Sequence, residues 1–457
     1  MTTAETAPES GTGRRGLTRW QAIPLAIGSI AGSGILFLPS AVYARAGHNS
    51  LLVWALSTLL CLPMLLMFDD MVRSNPDGRG IEAFIRAGLG DMFGRCVPVM
   101  FIALVIVGLP SGAFVAGRYV ARTFEVGRTV TVVVAIAVLL AAVLVNLAGG
   151  RASTRVQTAA TWGLVLVATV LLVSAVPSAR EGLHTVAPGT QQLGVVLPGV
   201  ILAFWAFAGF ENLTFLAREF RNPERDFLPV SAVALAVYGV FTILLTVAIA
   251  VTVPRADVDQ VVGLLQLASV VGYGKIIIWA VTFIACSAML LNAVAWVWGA
   301  SQMVRDAADN GMLPRAFAVL DGRGTPRRAL ALLVALFSAT SVLLSLRPAL
   351  VIDTTATASA IFMLLYVLSI ISYLRVRGLT VRSGLNLLLL VVIAVSLVQS
   401  RWQALYGVLA LLAALGVQVV QRRRAARTTG TTAPEPAGTA APEPVDAHGH
   451  GPEGSPR

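Results

Sequence analysis

The sequence predicts an all-α integral membrane protein of about twelve transmembrane helices. They form two inverted five-helix repeats, with helices 1 and 6 discontinuous and two further helices at the C-terminal end. Three observations predict this: the chain is apolar from end to end, arginines crowd alternate loops, and two spans five apart are both interrupted at glycine. Of 457 residues, 56% are hydrophobic and only 12% charged, whereas water-soluble domains carry about 25% charged residues. Mean hydropathy is +0.79, and apolar runs of about 20 residues, enough to cross roughly 30 Å of hydrocarbon, recur throughout.

In chain order the spans fall at 23–43, 51–68, 97–119, 129–147, 157–176 and 193–216, then 228–253, 276–303, 329–346, 355–374, 385–398 and 402–420. The eleventh is short. Residues 1–18 read as a flexible arm and 19–422 as the membrane domain. Within it, repeat one covers about 20–177, repeat two about 193–376 and the extra helices 383–421. Residues 423–457 are rich in Pro, Ala, Thr, Gly and Glu with little to bury, and are expected to be disordered. His448 and His450 in that tail are expected to bind nothing specific. No A-x-A-like site follows the first span, so no cleavable signal peptide is expected.

The net charge is +11. It follows topology rather than nucleic acid: clusters such as Arg73, Arg79, Arg86 and Arg95, or Arg422, Arg423, Arg424 and Arg427, alternate with poor loops holding Arg180, Arg255 or Arg401. This positive-inside pattern puts both termini in the cytoplasm of a multi-pass cell-membrane protein. Cys61, Cys96 and Cys286 are far apart and read as small buried hydrophobes. No metal and no cofactor is expected, and the oligomeric state is open.

The first span breaks at "GSIAGSGI" and the sixth at "WAFAGFEN". Unwound backbone at membrane depth survives only where it is buried in protein or lines a hydrated cavity. Paired breaks at matching repeat positions point to a transporter binding site near the midplane. A half-helix starting near Gly34 points free N–H groups at a ligand carboxylate, and one ending near Ile30 offers carbonyls to an ammonium. Span six repeats this around Phe207, Ala208 and Gly209. Gly28-xxx-Gly32 also fits a helix-packing face; the second break, with a charge inside it, favours the ligand site.

That charge is Glu211. An ionisable group within a span is a functional candidate; it serves either proton coupling, since burial raises a carboxyl pKa, or bracing of the unwound backbone. Glu219, Glu224 and Asp226 read as solvated loop or cap residues. Trp205 beside the break is suited to close over a ligand, and Phe204, Phe207 and Phe210 make the wall apolar. A neutral, hydrophobic side chain fits best.

At these residues the chain resembles the amino acid–polyamine–organocation transporters. "GSIAGSGILFLPSAV" resembles their first helix, "FWAFAGFENLTFLAREFRNPERDFLPV" their sixth, and "NAVAWVWGASQMVRDAADNGMLP" their eighth with its following loop. "NPERDF", together with "VGLPSG" in span three, resembles the bacterial exporters of methionine and branched-chain amino acids. The resemblance covers about residues 15–425. It implies a LeuT-like fold, alternating access around a central site, and a secondary active exporter driven by protons or exchange. It also implies that Gly32, Ser33, Gly34 and Ile35 receive the substrate carboxylate. The carbonyls of Ile30, Trp205 and Ala208 receive the amino group, Trp205 gates, and Glu211 is the sixth-helix acid. "SNPDGRG" departs from the family's Pro-x-Gly-Gly loop. Ser287 and Asn292 are available for sodium, yet the eighth span is otherwise apolar, which favours protons or exchange.

Import, or amino acid/amine antiport on the same fold, uses the same site, and the residues alone leave these open. A membrane enzyme of the prenyltransferase type is the rival class, from Asp69, Asp70 and Asp77 in "DDMVRSNPD". It lacks a second Asp-rich motif, and these aspartates read as water-facing. A channel is disfavoured by the absence of a repeated filter segment.

Overall fold

A computed structural model of the chain describes residues 16–32, 34–74, 80–148, 154–182, 193–207, 209, 213, 220–270, 274–322, 324–400 and 402–429. The first span is two half-helices, α1 (Arg19–Ala31) and α2 (Gly34–Ala46). Then come α3 (Ser50–Ser74), α4 (Ile81–Leu89), α5 (Asp91–Gly94), α6 (Cys96–Thr123), α7 (Arg128–Leu147) and α8 (Thr154–Gly182). The second repeat opens with α9 (Leu193–Phe204) and a 3-10 turn, Trp205–Phe207. It continues through α10 (Pro223–Thr252), α11 (Gly263–Val270), α12 (Gly274–Asp309), α13 (Arg327–Leu346) and α14 (Leu350–Arg377). The chain closes with α15 (Val381–Gln399) and α16 (Trp402–Thr429). Among the described residues the only strand-like pairing is the bridge between Leu17 and Phe220.

Among the described residues ten helical segments are long and apolar enough to cross a membrane; one of them, Gly34–Ser74, runs through α2 and α3, and Gly194–Phe207 is a shorter apolar helix. The eleventh span, short in the sequence reading, is a 19-residue helix. Its start is sharp for local reasons. Gly378 ends α14 at φ +68, a left-handed conformation that favours glycine, and the Thr380 hydroxyl then caps α15 by accepting from Ser383 N–H at 3.2 Å.

The packing follows the repeat. The first, second, third and fourth helices of one repeat meet their equivalents in the other: α2 packs on α9, α3 on α10, α6 on α12 and α7 on α13. Such pairing is what a pseudo-two-fold axis between the repeats produces for helices that lie close to it, the two interrupted helices among them. The described residues as far as Leu415 form one compact unit and those from Gly416 a second, in which α16 runs to Thr429.

Two short helices, α4 and α11, follow the second helix of each repeat and are absent from the sequence reading. At 9 and 8 residues they are far below spanning length. Two acidic residues also depart from expectation. Asp69 is fully buried rather than water-facing: its Oδ2 accepts from Arg73 Nε at 3.0 Å and Arg382 Nη1 at 3.3 Å. Its neighbour Asp70 accepts from Arg382 at 2.7 Å and from the Tyr373 hydroxyl. Asp226, read as solvated, is buried in the first turn of α10 and pairs with Arg19 at 2.5 Å. In each case the reason is an arginine supplied by a distant helix.

The arm before residue 16, Asp77 and most of "SNPDGRG", and the tail beyond 429 with His448 and His450 lie outside the described residues.

Candidate functional site

The first break is narrow. α1 stops at Ala31, Gly32 departs from helix at φ −2 and ψ −139, and α2 starts at Gly34. The first turn of α2 therefore has N–H groups, and the last turn of α1 carbonyls, with no partner inside their own helices. The positive end of one half-dipole and the negative end of the other face the same gap. In the sixth span α9 tightens into the 3-10 turn, and Gly209 adopts φ +138, where a side chain would be strained.

The two breaks touch. A Cβ built on Gly34 would lie 2.9 Å from Ala206 Cα and 2.8 Å from the Tyr238 hydroxyl. One built on Gly32 would lie 2.6 Å from Asn292 Nδ2 of α12. Both glycines are therefore close-approach positions, where even a methyl group collides. Gly28 has a different role: a Cβ built on it would lie 2.4 Å from the Thr161 hydroxyl of α8, which is the helix-packing reading of that position.

Of the sequence-predicted site residues, Gly32, Gly34, Ile30, Ile35, Trp205 and Phe207 come together here; Ile30 is 2% exposed, Ile35 4% and Phe207 0%. Ser33, Ala208, Phe210 and Glu211 lie outside the described residues. Phe207 sits edge-on to Trp54 and Tyr238, with ring centroids 6.3 and 5.6 Å away. Trp205 is half-buried and tilts against Phe362 of α14 at 6.2 Å. Phe362 in turn contacts Trp296 and Phe101, so an aromatic layer runs from the 3-10 turn to α6.

Beside Trp205 is a narrow cleft walled by Leu104, Val105, Leu109, Met289 and Trp296, with Asn292 among its lining and, among the described residues, no ionisable side chain. It has room for about one water molecule. Ser287 does not line it. Among the described residues no three His, Cys, Asp or Glu side chains converge as a metal site would require.

Sequence reasoning missed two residues at this centre. Tyr238 is 1% exposed, and among the described residues its hydroxyl has no hydrogen-bond partner although it faces the start of α2. Tyr119 donates to the Leu36 carbonyl at 2.6 Å and ties α6 to α2. A tyrosine inside an apolar span is the one signal the sequence offered for either.

Two interrupted helices meeting at the centre of an inverted repeat of membrane-length helices define a membrane transporter, not an enzyme. The profile of the amino acid permease family matches residues 17–420, and the chain belongs to that family. It is 26% identical over 425 residues to the L-methionine/branched-chain amino acid exporter YjeH of Escherichia coli (strain K12), covering 88% of this chain and 96% of that one. It is likewise 26% identical over 373 residues to the uncharacterized amino acid permease YecA of Bacillus subtilis (strain 168), covering 80% and 86%. The cadaverine/lysine antiporter of Escherichia coli (strain K12) is 23% identical over 385 residues, covering 79% and 84%. Among solved structures, MhsT in complex with L-phenylalanine aligns at TM-score 0.59 and 17% identity, covering 87% of this chain and 98% of that chain. At that identity the likeness is one of fold. The protein is an amino acid transporter embedded in the membrane.

Proposed function

We propose that the protein is a secondary active exporter of neutral, hydrophobic amino acids of the methionine and branched-chain class, driven by protons or exchange. It sits in the cell membrane with both termini cytoplasmic, as the arginine bias supports. The observation that carries the substrate class is the cleft beside Trp205, apolar and aromatic with Asn292 as an uncharged polar group. None of the described lining residues carries a charge to pair with a cationic side chain buried there, and burying an unpaired charge costs several kcal/mol. This weighs against a lysine or diamine substrate. The name of the methionine/branched-chain exporter relative supports the same class and the outward direction.

In this reading the N–H groups of Gly32, Ser33, Gly34 and Ile35 take the substrate carboxylate. The carbonyls of Ile30, Trp205 and Ala208 take its ammonium, and Phe207 closes the wall. The cleft admits about one water, so an amino acid enters only when a wall moves. We assign that movement to Trp205, which is half-buried and lines the cleft. Glu211 supplies the coupling proton.

The deciding experiment is efflux of radiolabelled methionine and leucine from preloaded proteoliposomes, with and without an imposed pH gradient. Gradient-accelerated efflux blocked by excess unlabelled neutral amino acid is the expected result. Accumulation, or pure exchange insensitive to the gradient, would replace the direction while keeping the site. Trp205→Ala is expected to lower flux at least about tenfold at normal expression, as loss of a contact worth more than ~1.4 kcal/mol implies; wild-type flux removes the gate assignment. Glu211→Gln, locked in the protonated-like form, is expected to abolish the response to pH while leaving exchange. A retained pH response assigns coupling elsewhere.

A further inference from the structure

The "VGLPSG" segment of the third span has no place in the site so far. It lies midway along α6, where Gly108 and Gly112, one turn apart, face the cleft. Gly108 is helical, and no positive φ requires glycine there. A glycine inside a helix costs about 1 kcal/mol relative to alanine, so its presence needs a steric reason.

That reason is Trp205. A Cβ on Gly108 would lie 2.5 Å from Cη2 and 2.9 Å from Cζ3 of the indole, and 3.1 Å from the Ala358 Cβ. The nearest obstacle is thus the far edge of a tryptophan ring. Gly117, about two and a half turns further along α6, shows the contrast: its missing Cβ meets the backbone carbonyl of Thr131, so it is a helix-packing glycine. Around Gly108 the seat is completed by α14, which supplies Ala358 and the Phe362 ring at 6.2 Å from Trp205. The two helices are pinned beside it by the Ser111 and Thr354 hydroxyls, 2.6 Å apart.

We propose that Gly108 is the positioning residue of the gate. Its missing side chain makes the notch in which the six-membered ring of Trp205 rests, and so sets how far the indole sits back from the cleft. Any larger residue at 108 pushes the indole forward into the space the substrate side chain would occupy. The inference rests on the gating role proposed for Trp205.

The test is a double-mutant cycle read by methionine binding to purified protein. Gly108→Ala is expected to weaken binding about tenfold, a coupling within the range measured for residues in contact. Phenylalanine at 205 lacks the outer ring atoms that collide, so G108A/W205F is expected to bind within about twofold of W205F alone. Additive losses, with the double variant as far below W205F as G108A is below wild type, would overturn the proposal. If G108A does not accumulate, W205F should restore its accumulation while leaving a Gly117→Ala defect uncorrected; failure to restore it also overturns the proposal. Normal transport by Trp205→Ala, with the cycle still non-additive, would instead remove the gate and leave the steric seat in place.

Discussion

Tyr238 presents to the first residue of α2 a buried hydroxyl that has no partner among the described residues. A buried polar group left unpaired costs about 1–3 kcal/mol, and a carboxylate held at the helix start is a ligand that would satisfy it. Tyr238→Phe keeps the ring that packs on Phe207 and deletes only the oxygen. Its expected signature is split: the melting midpoint of the apo protein holds or rises, while amino acid affinity falls about tenfold, the loss of a charge-assisted hydrogen bond. A lower midpoint with unchanged affinity would make the hydroxyl structural. At Gly34 the expected loss is of binding outright, since valine there collides with Ala206 Cα as well as with Tyr238. The glycines were legible in the sequence because helix breakers in an apolar run have few explanations. Tyr238, Asn292 and Gly108 acquire meaning only through contacts with Gly34, Gly32 and Trp205, and a single chain carries no record of such pairings.

The same boundary holds among the elements. The membrane-length helices were legible because hydrocarbon demands a continuous apolar run, but the run does not mark its own ends: α12 continues to Asp309, past the expected 303, and α15 starts at Val381 rather than 385. The short α4 and α11 lack that signal. Buried ionic ties between helices were misread for a related reason: Asp69 looks like a helix end facing water until Arg382, on α15, closes over it. This tie differs in kind from the pair between Arg45 and Asp353, whose side chains are 39% and 46% exposed, against 0% for Asp69. Exposed pairs contribute about 0–1 kcal/mol. Breaking a buried pair costs roughly 3–5 kcal/mol, less here because both arginines that grip Asp69 keep access to solvent. Asp69→Ala should therefore lower the melting midpoint in detergent by several degrees more than Asp353→Ala. Equal shifts would mean that burial of Asp69 adds nothing to the tie.

At the scale of the whole molecule, the interrupted first span is held at both of its ends. Arg19 on α1 pairs with Asp226 on α10 at 2.5 Å, and Arg45 on α2 pairs with Asp353 on α14 at 3.0 Å. Both partners belong to the second repeat, and the cleft between these ties admits about one water. In the alternating-access cycle proposed above one end opens at a time, so each tie would part while the other holds. The pair at Arg45 and Asp353 is exposed enough for its strength to be only a fraction of a kcal/mol, which suits a latch that opens thermally. A covalent tie in its place cannot open. With Cys61, Cys96 and Cys286 first replaced by alanine, cysteines at 45 and 353 joined by a short reducible thiol cross-linker are expected to stop amino acid flux, and reductant should restore it. The uncross-linked double variant should retain transport, separating loss of the charges from loss of motion. Full flux through protein shown by mass to be completely cross-linked would mean that α2 and α14 travel together. The opening at that end would then have to run between other helices.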